Sequence, residues 1–164
     1  MKSESKTKIS RDLINNRLKI TREFEAPIKE VWNAWTDSKL LDLWWAPKPW
    51  KSKTKSMDFR EGGFWLYAMI GLDGTQSWSR ADYKAIVPDK MFIGIDNFCD
   101  EEGTIDSNFP GMHWKCEFRE SPRGTIVQVE ITFSDKADLE KIIEMGFEAG
   151  FTSAHENLDE LLRK

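Results

Sequence analysis

Alternating apolar and polar residues predict three half-exposed strands in this chain. Between residues 18 and 25, Leu18, Ile20 and Phe24 are apolar and the intervening positions are polar. Residues 112–119 and 127–133 show the same two-residue period. Because successive side chains of a strand point to opposite faces, this pattern predicts a sheet with one covered face and one wet face.

A different periodicity predicts two short helices directly after the first strand. Pro27 suits the first turn of a helix, and apolar residues then recur at helical spacing. These residues are Ile28, Val31, Trp32 and Trp35. The polar run 36–38 interrupts this pattern and can cap a second helix, which holds Leu40, Leu41 and Trp44 and ends before Pro47.

The middle of the chain carries turn signals at the spacing of hairpins, so a run of antiparallel strands is expected there. The signals fall at residues 61–63, 73–74, 88–90 and 121–124, and residues 99–111 form one long connection. A final apolar stripe predicts one long helix over residues 138–163. The stripe comprises Leu139, Ile143, Phe147, Gly150, Ala154, Leu158 and Leu161.

This order of elements predicts an α+β fold in which a curved antiparallel sheet wraps around the long C-terminal helix. No internal repeat or low-complexity linker interrupts residues 18–164, so they are expected to form one domain. Residues 1–17 are polar and charged, and we expect them to be a mobile N-terminal tail.

Composition narrows the classes of function. The 164 residues include eight Trp and ten Phe but only two Tyr, which indicates a bulky core, a lined cavity or a sticky surface. A formal net charge of −4 argues against nucleic acid as a partner. The stretch with Trp44, Trp45 and Trp50 also contains four lysines, and we interpret it as one closed end of a cavity with a solvated rim.

No cofactor or metal is expected. The two cysteines and two histidines have no metal-binding spacing, and the phosphate-binding glycine motifs are absent from the sequence. There is no signal-like apolar stretch in residues 1–17 and no run long enough to cross a bilayer. A cytoplasmic protein with two free thiols and no membrane insertion is therefore expected.

Several strings, taken in order, resemble the START-like (SRPBCC) superfamily with its helix-grip fold. Within it, the chain is most similar to the family of heat-shock-protein-90 ATPase activator homologues. The strings lie at residues 22–27, 31–37, 44–47 and 57–63, at Trp65, Tyr67 and Met69, and at residues 150–151 and 158–162. Ala46 and Phe151 are conservative departures, since Gly and Trp are common at these two positions in the family.

The resemblance implies a cavity between the sheet and the C-terminal helix, which relatives use for hydrophobic molecules or for cyclase-type chemistry. Our first hypothesis is non-enzymatic binding of a small hydrophobic or amphipathic molecule. The predicted ligand-binding residues are Trp65, Tyr67, Met69, Trp78, Tyr83, Trp114, Cys116, Phe118, Val129, Phe147, Gly150 and Phe151. The small residues Gly146, Gly150 and Ala154 leave room either for such a ligand or for close packing against sheet Trp rings.

Two other functions stay open. The family name implies a protein-interaction module that modulates a chaperone ATPase, with a chaperone or another protein as partner. A cyclase- or dehydratase-type enzyme would use Tyr67, Tyr83 or Arg80 to polarise a carbonyl group. His113 and His155 are predicted to lie at the surface or rim, and no nucleophile–base pair is identified.

Overall fold

In the described part of the chain, a single antiparallel sheet of eight strands forms the frame, and four helices accompany it. The computed structural model describes residues 6–163. The strands are β1 (Lys8–Asp12), β2 (Arg17–Phe24), β3 (Lys51–Met57), β4 (Phe64–Ile70), β5 (Gln76–Val87), β6 (Met91–Cys99), β7 (Met112–Ser121) and β8 (Gly124–Thr132). The helices are α1 (Ile28–Thr36), α2 (Ser38–Trp44), α3 (Lys136–Glu144) and α4 (Phe147–Leu162).

The strand order in the sheet is β1-β2-β8-β7-β6-β5-β4-β3. Every neighbouring pair is antiparallel, so the long middle of the chain is a meander and β2 joins it through β8. This arrangement is the α+β helix-grip fold predicted from the sequence. The predicted pair of short helices between the first long strand and the meander is also confirmed.

The covered face of the sheet holds the core. Leu18, Ile20 and Phe24 of β2 are fully buried, as the two-residue period requires. At this end, α1 and α2 fill the space with rings: the Trp35 ring centroid lies 4.9 Å from that of Trp44 and 5.9 Å from that of Phe118. Close packing here leaves the opposite end of the same face for a cavity.

The predicted mobile tail is wrong for residues 8–12, which form the edge strand β1 against β2. Two side-chain contacts fix this segment to α4. The Arg11 guanidinium donates two hydrogen bonds to the Glu148 carboxylate, and Thr7 Oγ1 lies 3.1 Å from His155 Nδ1. The remainder of the predicted tail includes residues 1–5, which lie outside the described residues.

The predicted single C-terminal helix is in fact two helices, α3 and α4, separated at Met145 and Gly146. Gly146 has a φ of 86°, a left-handed conformation that glycine adopts without a steric penalty. The apolar stripe continues at helical spacing through this break, so periodicity alone does not reveal it. The bend places the N-terminus of α4 beside the sheet end that α1 leaves uncovered.

Candidate ligand cavity

A cavity of about 220 Å³ lies between the second half of the sheet and the helices α3 and α4. Four strands, both C-terminal helices and the loop after α2 contribute to its wall. The lining residues are Trp45, Pro47, Tyr67, Met69, Ser77, Ser79, Asp96, Phe98, Met112, Trp114, Ile142, Met145, Gly146, Phe147, Gly150 and Phe151. The wall is therefore largely apolar and aromatic, with a few polar side chains, as is usual for small-molecule sites.

Half of the twelve predicted ligand-binding residues line this cavity. They are Tyr67, Met69, Trp114, Phe147, Gly150 and Phe151. Three more, Trp65, Tyr83 and Cys116, line a smaller void of about 30 Å³ that shares Trp45, Asp96 and Trp114 with the cavity. The void is far too small for a ligand of its own, so these three residues support the floor of the cavity.

The remaining three predicted residues lie away from the cavity. Phe118 and Val129 are buried in the core, where the Phe118 ring packs 5.1 Å from that of Trp32. Trp78 is outside the cavity wall; its Nε1 donates to the Gln76 side chain, and Lys55 Nζ lies 6.0 Å from its ring centroid. These three lie outside the wall because α1 covers one end of the sheet and because Ser77 and Ser79 of β5, rather than Trp78, face the cavity.

The register of β5 also removes Arg80 from the cavity wall. Ser77, Ser79 and Tyr83 line the cavity or the void. Arg80 instead makes a two-bond ion pair with Asp82 and stacks over the Phe64 ring. An irregularity between Tyr83 and Ala85 shifts the pairing with β6. Polarisation of a carbonyl in the cavity by Arg80, as the enzyme hypothesis supposed, does not fit this placement.

Several wall residues were not predicted as ligand-binding residues. Trp45 and Pro47 come from the stretch predicted to close one end of a cavity, and they do line it. Ser77, Ser79 and Phe98 follow from the true registers of β5 and β6, which no clear alternation revealed. Ile142 and Met145 line the wall because the chain bends between α3 and α4. Met112 lies on the covered face of β7, as its alternation indicates.

The polar end of the cavity is a chain of three side chains. Trp45 Nε1 donates to the Tyr67 hydroxyl at 3.1 Å, and that hydroxyl donates a long hydrogen bond of 3.5 Å to Asp96 Oδ2. Asp96 is only 7% exposed. Burial raises the pKa of Asp96 to about 7, and burial also raises the pKa of Tyr67 well above its ordinary value.

His155 is buried, so its predicted rim position was wrong. It packs against Phe24 and Phe151 and lies near the buried Arg22, and burial lowers the pKa of His155 to about 3. His113, by contrast, is exposed as predicted. Cys116 is fully buried, and burial raises the pKa of its thiol, which suits a core residue better than a nucleophile.

Among residues 6–163, no three His, Cys, Asp or Glu side chains come together in a way that could hold a metal ion. No helix within the same residues is long and apolar enough to span a membrane. The cavity wall offers apolar contacts, aromatic rings, hydroxyl groups and the carboxyl group of Asp96.

The chain belongs to the family described as "Activator of Hsp90 ATPase homolog 1-like protein", whose model matches residues 25–163. This match covers strands β3 to β8 together with all four helices. It confirms the family resemblance inferred from the sequence strings. No curated protein matches the chain at a significant level.

Solved structures with the same fold cover nearly the whole chain. Protein Ms6760 from Mycobacterium smegmatis is 29% identical, with a TM-score of 0.88 over 95% of this chain and 96% of that one. A protein from Arthrobacter aurescens is 28% identical, with a TM-score of 0.90 over 95% and 91% of the two chains. A protein from Staphylococcus epidermidis is also 28% identical, with a TM-score of 0.83 over 94% and 93%.

Proposed function

We propose that this protein is a non-enzymatic binding protein for a small hydrophobic or amphipathic molecule, which it holds in the cavity between the sheet and the α3–α4 pair. The observation that carries the proposal is the cavity itself, about 220 Å³ in volume and lined mainly by apolar and aromatic side chains. Ligand pockets for drug-sized molecules are usually about 300–1,000 Å³, so the expected ligand is small.

The helix side of the cavity supports this proposal over close packing. Gly150 faces the cavity from within α4, where a glycine costs about 1 kcal/mol relative to alanine. A Cβ atom at this position would meet only Pro47 Cγ, at 3.7 Å. Packing therefore does not require glycine here, and the missing side chain keeps space open beside Phe147 and Phe151.

The polar end of the cavity supports binding more than catalysis. Trp45, Tyr67 and Asp96 form one chain of hydrogen bonds, but no histidine, cysteine, lysine or arginine joins them in the wall. A catalyst of acyl transfer or aldol chemistry requires an activated nucleophile or a paired acid and base. A carboxyl and a phenol that share one hydrogen bond are better suited to orienting a bound molecule.

Two measurements test the proposal. In the first, native and denaturing mass spectra of freshly purified protein are compared, and the native spectrum should show a non-covalent ligand of a few hundred daltons at most. If the protein is purified empty, the cavity should accept a probe in the second measurement. In the second, 1-methylnaphthalene is titrated into isotopically labelled protein, and amide and methyl shifts should change around Phe147 and Phe151.

A matched pair of variants locates the binding site. Gly150→Leu places a side chain in the cavity and should abolish binding of 1-methylnaphthalene. Ala149→Leu makes a similar change at the neighbouring exposed position of α4 and should leave binding intact. Equal binding by both variants, or no shift in the parent protein, would contradict the proposal.

The family match favours a second candidate function, modulation of a chaperone ATPase. The family description names an Hsp90 ATPase activator homologue, and the match spans residues 25–163. Titration of this protein into a purified Hsp90-type chaperone should then change the rate of ATP hydrolysis. An unchanged rate at saturating protein would exclude this function and leave ligand binding as the proposal.

A further inference from the structure

The carboxyl group of Asp96 has one oxygen without a partner. Oδ2 accepts the long hydrogen bond from the Tyr67 hydroxyl, whereas Oδ1 is buried and has no hydrogen-bond partner of good geometry among residues 6–163. The backbone N–H of Asn97 is close enough to lower the pKa of the carboxyl group, but burial outweighs it. Buried polar atoms in folded proteins are nearly always hydrogen-bonded, because an unpaired buried acceptor costs about 1–3 kcal/mol. Asp96 lies in the wall shared by the cavity and the void, and a turn of its carboxyl group would bring Oδ1 to a donor on a bound ligand.

The charge of the wall is of one sign. Asp96 is the sole residue with an acidic or basic side chain among those lining the cavity and the void. No lysine, arginine or histidine of the described wall neutralises it. Burial raises the pKa of Asp96 to about 7, and a cation that binds beside the carboxyl group stabilises its charged form. The attraction between the two charges is stronger in an apolar cavity than at the surface.

Several aromatic rings line the same cavity as this carboxyl group. The Trp114 ring centroid lies 5.9 Å from that of Trp45 and 5.5 Å from that of Phe151, and Phe147 stacks on Phe151 at 5.4 Å. The negative face of an aromatic ring attracts cations, and tryptophan does so most strongly. An acid together with several ring faces is the usual environment for a protonated nitrogen.

We propose that the ligand of this cavity is a small amine, with an aromatic or aliphatic body against the rings and a protonated nitrogen that donates a hydrogen bond to Oδ1 of Asp96. This inference rests on the proposed ligand-binding function and specifies its ligand class. A carboxylate or phosphate ligand would meet the negative charge of Asp96 without a basic partner. A pure hydrocarbon would leave Oδ1 unpaired.

Three probes with the same bicyclic body test the inference: 1-naphthylmethylamine, 1-methylnaphthalene and 1-naphthylacetate. They present a cation, no polar group and an anion, respectively. Dissociation constants are measured by nuclear magnetic resonance titration at neutral pH. The parent protein should bind the amine at least tenfold more tightly than the hydrocarbon, and the anion most weakly.

Two variants assign the preference to the carboxyl group. Asp96→Asn should remove the advantage of the amine over 1-methylnaphthalene while leaving the affinity for the hydrocarbon within about twofold. Glu120→Gln removes the same charge from an exposed position on β7 and should leave the preference unchanged. The ¹³Cγ resonance of Asp96 should move on addition of the amine and stay in place with the hydrocarbon.

The outcomes separate this inference from the function on which it rests. If all three probes bind alike, or the anion binds best, the amine assignment is overturned and the binding function stands. Loss of the preference in Glu120→Gln as well as in Asp96→Asn would also overturn it, because the effect would then be one of net charge. If no probe binds the parent protein, both the amine assignment and the proposed function are contradicted.

Discussion

The hydroxyl oxygen of Tyr67 lies 3.5 Å from Oδ2 of Asp96 and donates a hydrogen bond to it. This bond lowers the pKa of Asp96, because a donor stabilises the carboxylate, but burial outweighs it and the pKa is raised to about 7. The same hydroxyl accepts the indole N–H of Trp45 at 3.1 Å. Tyr67 therefore connects the loop after α2 with the acidic end of the cavity.

Replacement of this tyrosine should change the ionisation of Asp96. Tyr67→Phe removes the donor and should raise the pKa of Asp96 further above 7, with a loss of stability of about 1 kcal/mol because Trp45 Nε1 also loses its acceptor. A ¹³Cγ titration of Asp96 measures the pKa directly. Tyr83→Phe is the control, since Tyr83 makes no hydrogen bond to Asp96, and a rise in both variants would contradict this account.

The stability of the protein should depend on pH through Asp96. Its ordinary pKa is 3.8 and its folded pKa is about 7, so between these values the folded state binds more protons than the unfolded state. Stability from this group is therefore present at low pH and is lost as pH rises from about 4 to about 7. The full difference between the two pKa values corresponds to a loss of unfolding free energy on the order of 4 kcal/mol.

Three titratable groups near Asp96 do not change their own charge in this pH range, so the pH dependence can be assigned to Asp96. Burial raises the pKa values of Tyr67, Tyr83 and Cys99, so these three stay neutral in this pH range, and the charge of Asp82 raises the pKa of Asp96. The unfolding free energy of the parent minus that of Asp96→Asn should decrease from pH 4 to pH 7 and stay constant at higher pH. Denaturant titrations measure it, and a difference that rises with pH would rule out the assignment.

The fold was predictable because its signals are local and repeated. Strands β2, β7 and β8 each alternate over eight or more residues, and α1 presents a tryptophan face that only a core can cover. The alternation along β7 places Trp114 on the covered face, and the alternate positions of Tyr67 and Met69 on β4 place them on the same face. The apolar stripe of the last helix and the family string at residues 150–151 account for the other three predicted residues in the wall, Phe147, Gly150 and Phe151.

The errors share a different cause, since each depends on contacts between distant segments. In the regular pairing of β4 with β5, Ser79 lies opposite Tyr67 and Trp78 opposite Ala68, which places Ser79 rather than Trp78 on the inner face. His155 is buried because Thr7 and Phe24 pack on α4 from the other end of the chain. Neither arrangement produces a periodic signal, and the break at Gly146 is concealed by a stripe that continues through it.

Two glycines at the α3–α4 junction should respond to alanine in opposite directions. Gly146 has a φ of 86°, and a Cβ there would contact nothing, so Gly146→Ala should destabilise by about 1 kcal/mol through backbone strain alone. Gly150 is helical with room for a Cβ, so Gly150→Ala should stabilise by about 1 kcal/mol. Chemical denaturation of both variants checks the signs, and a stabilising Gly146→Ala would contradict the left-handed assignment.

The last prediction concerns the buried guanidinium of Arg22, whose side chain is 1% exposed. Its Nη2 lies 3.3 Å from Glu156 Oε2 and 3.6 Å from Asp159 Oδ2, and Asp159 also pairs with Arg163. The Asp159 side chain is 9% exposed and that of Glu156 is 50% exposed. Asp159→Ala should therefore destabilise by about 3 kcal/mol, and Glu156→Ala by less than about 1 kcal/mol.

Salt and a double variant distinguish charge from packing in this cluster. High salt should erase the small effect of Glu156→Ala, because its exposed carboxylate is screened, and should leave most of the effect of Asp159→Ala. Combining Asp159→Leu with Arg22→Met removes both buried charges together, so its loss of stability should be smaller than the sum of the single losses. If the losses in unfolding free energy are additive, Arg22 and Asp159 do not interact, and their separation of 3.6 Å contributes nothing to stability.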